Sequence, residues 1–249
     1  MTLCHVWYIL PFVHRADIDE MDAHLNRLGA SLFFHPHTVA DAAANGIDNV
    51  FVMYAGRAGL LGDVDAQQAS SALGFFAPTV VRDVWTGVAA AGGPVHVGTV
   101  FATAMAATAT ASWAAEPAAT VAAVGSEVLA AVEPFGMALY SAWRGRALAT
   151  GHVADVVHAL RELRGDVHIQ CVATAGLQPL QAEMATRGAA AAQLHGWQPP
   201  YPDPAEFIEA VALAEAHTSE RMAATYARTL GHDRTAALAA AVQELAKEL

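Results

Sequence analysis

The chain has 249 residues, a formal net charge of −11, 55% hydrophobic residues and only 15% charged residues. This length fits one large domain or two small ones, and the acidic balance without any run of Lys and Arg argues against a nucleic-acid partner. The two cysteines lack the spacing of a metal site and exclude a disulfide scaffold, which favours a reducing compartment and predicts a cytoplasmic protein.

Alanine dominates the composition, with 58 residues. It is the best helix former and has little bulk, so helices rich in it can pack closely. No segment alternates apolar and polar residues with a period of two, which argues against a sheet. We therefore predict an all-α fold, a multi-helix orthogonal bundle with a C-terminal helical segment. Residues 54–60 are weakly similar to residues 164–177, so two pseudo-repeated halves are an alternative architecture.

The chain opens on a short apolar run, Val6 to Leu10, that reads as a strand or an extended lead-in. Glycine and proline then mark most of the helix boundaries. Asp17 is expected to cap the first helix and Gly29 to end it, and Gly165 inside a long helix predicts close packing or a break. The predicted helices cover 17–28, 37–44, 48–59, 63–73, 78–91, 95–112, 117–132, 134–148, 152–175, 177–188, 204–229 and 233–248.

Residues 196–204 contain four prolines and form the one clear linker. This linker predicts a main helical domain over 1–196, with C-terminal helices over 197–249 packed on it as one compact unit. The longest stretch of low charge, residues 84–116, is broken by turn signals and rich in alanine. We read it as two buried helices rather than a membrane span, and we expect no membrane partner.

Charged residues are densest in the stretch Arg161 to His168. Helical spacing puts His158, Arg161, Gly165 and His168 on one face. If this face is buried, its charges need partners, and a paired Asp166 and His168 could work as acid and base near neutral pH. A ladder of salt bridges on a solvated face is the alternative.

A second group contains His35, His37, Tyr54 and Arg57. Arg57 stands in an apolar stretch, so it either pairs with Asp166 or Glu162 or binds an anionic ligand. His35 and His37 flank a proline and fit a surface turn equally well. Five histidines are conceivable metal ligands, but none has helical ligand spacing, so no metal is predicted: His35, His37, His152, His158 and His168.

Several kinds of chemistry lack support in the sequence. The single lysine, Lys247, lies near the end of the chain, which argues against a Schiff base with pyridoxal phosphate. Glycine-rich nucleotide motifs and the G-x-S-x-G elbow are absent from the sequence. We therefore predict no organic cofactor.

Five segments together resemble a known family. Residues 54–62, YAGRAGLLG, are similar to its Y-F-A-G-R-A-A-P-L-G stretch, and residues 75–78, FFAP, to its F-x-F-A-P turn. Residues 36–37, PH, match the last part of its P-x-H segment. Residues 161–168, RELRGDVH, resemble R-E-H-R-G-D-G-H, and residues 196–197 match its G-W. The family is the SalK-like or winged-helix-like group of helical actinobacterial proteins, some of which occur among specialised-metabolite genes.

The resemblance implies one helical architecture with Arg57, Arg164, Asp166 and His168 as its polar centre. The sequence departs from the family where Leu163 replaces a histidine and Leu61 a proline, and the winged-helix part looks shortened to residues 203–218. The first departure weakens a shared metal site. The last weakens DNA binding.

The leading prediction is a small-molecule enzyme of specialised metabolism that uses acid–base catalysis on a largely apolar substrate, as in cyclisation, isomerisation or hydrolysis. A non-catalytic ligand-binding or regulatory protein of winged-helix-like type is one alternative, and a metal-dependent helical enzyme is the other. A homodimer is possible. The predicted catalytic residues are Asp166, His168, Arg57 and Arg164, and the predicted substrate-binding residues are His37, Tyr54, His158 and Trp143.

Overall fold

The computed structural model describes residues 14–247 and Leu249, and this part is helical without a strand. The prediction of an all-α fold is confirmed, whereas the lead-in at 6–10 lies outside the described residues. A short 3₁₀ turn, Pro204–Glu206, precedes the last helix. The helices are α1 Arg15–Phe33, α2 Pro36–Ala44, α3 Val50–Gly59, α4 Ala66–Leu73, α5 Pro78–Ala90, α6 Pro94–Ser112, α7 Ala115–Ala131, α8 Ala138–Thr150, α9 Val153–Thr174, α10 Pro179–Leu194 and α11 Ile208–Ala246.

Proline and glycine set several of these boundaries, and the start of α5 at Pro78 is as predicted. Pro78, Pro94 and Pro179 open helices, where a missing N–H costs nothing. Gly92 and Gly93 have φ of 98° and 91°, and the chain turns there by 88° between α5 and α6. Taken singly, no helix within residues 14–247 is both long and apolar enough to cross a membrane, although α5 and α6 pass that test as a bent pair.

The predicted end of α1 at Gly29 is wrong. The helix begins at Arg15 and runs to Phe33, with Gly29 inside it. A Cβ at Gly29 would lie 2.8 Å from Cδ of Arg161, so the glycine makes room for the arginine side chain of α9. Close packing, rather than helix termination, explains this glycine.

α9 is the central helix and contacts α1, α6, α7, α8 and α11. Thirteen of its 22 residues are buried, and they include charged and polar side chains as well as apolar ones. Gly165 lies inside regular helix, and a Cβ there would meet only a carboxylate oxygen of Glu162, at 3.7 Å. Neither reason that we had expected for this glycine, close packing or a break, therefore holds.

Two glycines bend the C-terminal helices. Gly188 has φ 77° inside α10, which continues beyond the predicted end to Leu194. Gly231 has φ 68° inside α11, where the sequence had predicted a gap between two helices. α11 packs against α1, α7 and α9. The division of the chain near residue 196 stays a prediction.

α3 and α6 cross in direct backbone contact. A Cβ at Gly59 would lie 2.3 Å from the carbonyl oxygen of Pro94, and one at Gly98 would lie 2.7 Å from the carbonyl carbon of Gly59. Only glycine permits such an approach. The crossing fixes the position of α3 against α6, and so helps to position Tyr54 and Arg57 on α3.

Candidate functional site

Arg57 and Glu162 form a buried ion pair between α3 and α9. Nε and Nη2 of Arg57 donate to the two carboxylate oxygens at 3.0 and 2.9 Å, and Nη1 donates to the hydroxyl of Tyr54 at 2.7 Å. Arg57 is 8% exposed and Glu162 is 2% exposed. The sequence had offered Asp166 or Glu162 as the partner, and the structure selects Glu162.

The carboxylate of Glu162 also contacts two further side chains of α9. Nη1 of Arg161 donates to its Oε1 at 2.9 Å, and Nε2 of His158 lies 3.1 Å from the same oxygen. Burial by itself would raise the pKa of Glu162, but Arg57, His158 and Arg161 together lower it well below its ordinary value. Burial lowers the pKa of His158 to about 4, so its imidazole is neutral at pH 7. A solvated salt-bridge ladder on this face is therefore ruled out.

A polar cavity of about 250 Å³ adjoins this ion pair. α1, α3, α4, α8, α9 and α10 contribute its walls. Four of the predicted site residues line it, and we keep the name "polar cavity" for this space: Tyr54, Arg57, Arg164 and Asp166.

Two carboxyl groups in the polar cavity have raised pKa values. Burial raises the pKa of Asp166 to about 7, although the backbone N–H of Tyr140 donates to its Oδ2 at 2.9 Å. Burial likewise raises the pKa of Asp22 to about 7, against the opposing charge of Arg164 at 3.5 Å. Both groups are therefore poised to exchange a proton near neutral pH.

Asp22 was not among the predicted site residues. The residue is 3% exposed, and neither of its carboxylate oxygens accepts a hydrogen bond among the described residues. A signal was present, because Asp22 shares the helical spacing of the buried residues Ile18 and Leu25. An acid on the apolar stripe of a helix indicates a buried carboxyl.

The other predicted site residues lie away from this space. Nε1 of Trp143 donates to the carbonyl oxygen of Arg57 at 3.0 Å, and its ring meets that of His158 edge to face at 3.9 Å; both residues are fully buried and pack behind the ion pair. His168 lies 3.3 Å from Glu215 and 3.2 Å from the hydroxyl of Thr218. His37 is exposed at the start of α2 and stacks on His35. The prediction that Asp166 pairs directly with His168 is therefore wrong. The structure also places three predicted substrate-binding residues outside the polar cavity: His37, His158 and Trp143.

A second, larger cavity of about 510 Å³ lies beside the first. Its walls are mostly aromatic and aliphatic and come from α1, α3, α4, α5, α9 and α10. Phe34, Phe51 and Leu194 at its mouth are 57%, 60% and 71% exposed. We name this space the "apolar cavity". Tyr54, Arg161, Arg187 and His195 line both cavities, so the two are contiguous.

α3, α4 and α5 form a three-helix unit in mutual contact. Asp65 caps α4 with a complete capping box, and a four-residue turn that begins with Gly74, φ 69°, leads to Pro78 at the start of α5. Nε1 of Trp197 donates to the carbonyl oxygen of Phe75 at 2.8 Å, and the N–H of Ala77 donates to that of His195 at 2.9 Å. The turn is thus tied to the segment that follows α10.

α5 divides into two faces. Val81, Trp85 and Val88 are buried, whereas Thr79 and Arg82 are exposed. Two more polar residues, Asp83 and Thr86, continue the exposed face. A helix with this division presents a free polar ridge to the outside.

Metal ligation finds no support in the part of the chain that the structure describes, where no three His, Cys, Asp or Glu side chains are placed to hold an ion. The predicted candidates His35, His152, His158 and His168 belong to separate local contacts. That the protein needs no cofactor stays a prediction.

α4 and α5 are two helices joined by a four-residue turn, and both contact α3. The chain belongs to the helix-turn-helix family, whose profile matches residues 18–206. No curated protein and no solved structure matches the chain. The narrower likeness to SalK-like proteins of actinobacteria stays a prediction.

Family membership corrects one sequence prediction. The net charge of −11 had argued against a nucleic-acid partner, but a helix-turn-helix protein is of the kind that binds nucleic acid. Net charge sums over the whole surface, whereas recognition depends on the few side chains that one helix presents. The total charge was therefore a poor guide to the partner.

Proposed function

We propose that the protein is a DNA-binding regulator in which α4, the turn after it and α5 form the recognition unit. Membership of the helix-turn-helix family is the observation that carries this proposal. The length of α4, the four-residue turn with Gly74 and the contacts of both helices with α3 support this location. α5 then takes the place of the helix that enters the major groove.

The exposed ridge of α5 has the chemistry for base contacts near its N-terminus. Thr79 can contact a base edge or a phosphate, and Arg82 can donate two hydrogen bonds to a guanine. Asp83 beside Arg82 leaves this ridge with no net charge. Affinity for arbitrary DNA should accordingly be weak, and sequence should matter more than charge.

The experiment is selection of binding sites from random double-stranded DNA at low salt, followed by fluorescence anisotropy with the enriched duplex. An enriched sequence is expected, and Arg82→Ala should weaken its binding by about tenfold or more. Arg27→Ala removes an exposed arginine from α1 and is the matched control. Absence of any enriched sequence, together with absence of binding at low salt, would sink the proposal.

A second candidate is the small-molecule enzyme that the sequence suggested, with His168 removed from its centre. Two carboxyls with pKa values near 7, Asp22 and Asp166, facing the cavity that Arg57 and Arg164 line, favour this candidate. One carboxyl would supply a proton while the other accepts one. His168 would then contribute to stability only.

A panel of apolar esters, epoxides and enol ethers, followed by mass spectrometry, tests this candidate. Conversion should be lost in Asp166→Asn and kept in His168→Ala. Equal conversion by Asp166→Asn and the unaltered protein would rule out the acid–base role.

A further inference from the structure

The two contiguous cavities hold an imbalance of charge. Glu162 is the carboxylate that lies within ion-pair distance of both Arg57 and Arg161. His158 beside it is neutral because burial lowers its pKa to about 4. Two guanidinium groups therefore share one carboxylate in a buried cluster, which leaves one positive charge in excess.

Arg161 is where this excess meets the open space. It belongs to the cluster and lines both cavities, and its side chain is 18% exposed. Burial and the charge of Arg57 lower its pKa, although Glu162 opposes this. Arg187 lines the same junction and holds its own partner, Glu183, only at 4.0 Å. The junction is thus suited to an anion.

The apolar cavity supplies the complementary half of a ligand site. Its volume of about 510 Å³ lies within the range of small-molecule pockets. Phe33, Val84 and Trp85 line its interior, and Phe34, Phe51 and Leu194 at the mouth remain exposed. Large apolar side chains gathered at the rim of a hollow indicate that something apolar covers them.

We propose that the apolar cavity binds an amphipathic small molecule with an aromatic or aliphatic body and one carboxylate, which pairs with Arg161 and Arg187 at the junction. A flat apolar partner would leave the charge at the junction unmatched, whereas a carboxylate with an apolar body matches both halves. Guanidinium groups hold carboxylates by paired, charge-assisted hydrogen bonds.

The ligand would also contact the buried face of α5, opposite the exposed ridge. Val80, Val81, Val84 and Trp85 of α5 line the apolar cavity, while the ridge with Arg82 faces outward. Filling the cavity would therefore shift the equilibrium of α5 positions if the ligand favours one of them. This regulatory consequence rests on the proposed function, whereas ligand binding does not.

Isothermal titration calorimetry with two matched probes, biphenyl-4-carboxylate and biphenyl-4-methanol, tests the site without DNA. The carboxylate should bind about tenfold or more tightly than the alcohol. Arg187→Gln, a change at a half-exposed side chain that leaves the core intact, should remove much of this preference. Arg221→Gln on α11 is its matched control.

Val84→Trp should fill the cavity and abolish binding of both probes, whereas Val95→Trp, at a 52% exposed position of α6, should leave binding unchanged. Equal affinity for the two probes, or binding that survives Val84→Trp, would overturn the proposal. So would a dimer in sedimentation velocity that Phe51→Glu dissociates, because a second copy would then cover the rim. A regulator that binds DNA but neither probe would refute the ligand site alone.

Discussion

The guanidinium of Arg57 and the carboxylate of Glu162 meet through two hydrogen bonds although 105 residues separate them in the chain. The pair joins α3 of the three-helix unit to α9 at the centre of the bundle. A buried carboxylate raises the pKa of Arg57 in spite of the opposing effect of burial. This contact thus links the three-helix unit to the centre of the bundle.

Replacement of Glu162 should destabilise the fold strongly. Glu162→Gln leaves Arg57 and Arg161 buried without a counter-charge, and loss of one partner of a buried pair costs about 3–5 kcal/mol. Urea unfolding followed by circular dichroism measures this loss. Glu127→Gln breaks an exposed pair with Arg234 and should cost less than about 1 kcal/mol. Similar losses in the two variants would contradict a buried pair.

Asp22 should make the protein less stable as pH rises. Its pKa is about 7 in the fold against 3.8 as the ordinary value, so between pH 4 and pH 7 the folded chain keeps a proton that the unfolded chain releases. The free energy of unfolding should therefore fall over that range by about 2–4 kcal/mol. Asp22→Asn should remove the part of the fall that Asp22 contributes and leave the part from Asp166, whose pKa is also raised to about 7. Urea midpoints at several pH values measure the difference.

The matched control for Asp22 is Asp17→Asn, which removes one carboxylate from the exposed face of the same helix. It corrects for the change in net charge. If the two variants have parallel profiles, Asp22 does not carry the pH dependence.

The crossing of α3 and α6 should not tolerate a methyl group. Gly59→Ala would place Cβ against the backbone of Pro94 and Gly98, and overpacking of this kind costs about 1–3 kcal/mol. Gly145→Ala, in α8, meets no atom within 4 Å and should stabilise its helix by about 0.5–1 kcal/mol. Thermal unfolding distinguishes the two, and a gain in stability at both positions would contradict the close crossing.

Tyr54 should matter more than an ordinary tyrosine hydroxyl. Tyr54→Phe removes the acceptor of a charged donor, Nη1 of Arg57, at a cost of about 1.5–3 kcal/mol. Tyr201→Phe removes a neutral hydrogen bond to the carbonyl oxygen of Trp197 and should cost about 0.5–1.5 kcal/mol. Chemical denaturation of both variants gives the comparison, and a smaller loss at Tyr54 would argue against a charged bond.

Sequence reasoning succeeded where local chemistry decides the structure. Proline opened α5 and α6, and Gly231 marked the bend in α11, because these residues restrict the backbone wherever they stand. It failed at Gly29, whose reason for being glycine is the side chain of Arg161, more than a hundred residues away. Long-range contacts of this kind leave no mark in a local pattern.

The site was predicted in part for the same reason. Burial of Arg57 followed from its apolar neighbours, but only the fold could choose between Glu162 and Asp166 as its partner. The pairing of Asp166 with His168 could have been rejected earlier, since residues two apart on a helix do not face each other. Asp22 depends on Arg164 for its environment, and no pattern in α1 alone reveals that partner.

The two hydrogen bonds between the turn before α5 and residues 195–197 have a mechanical consequence. They fasten the turn between α4 and α5 to the segment that follows α10, and α10 itself bends at Gly188. α5 cannot swing by itself without breaking the bond to Trp197. A rotation of α5 that keeps both bonds must instead move the end of α10 as well, so the two helices are mechanically coupled at this point.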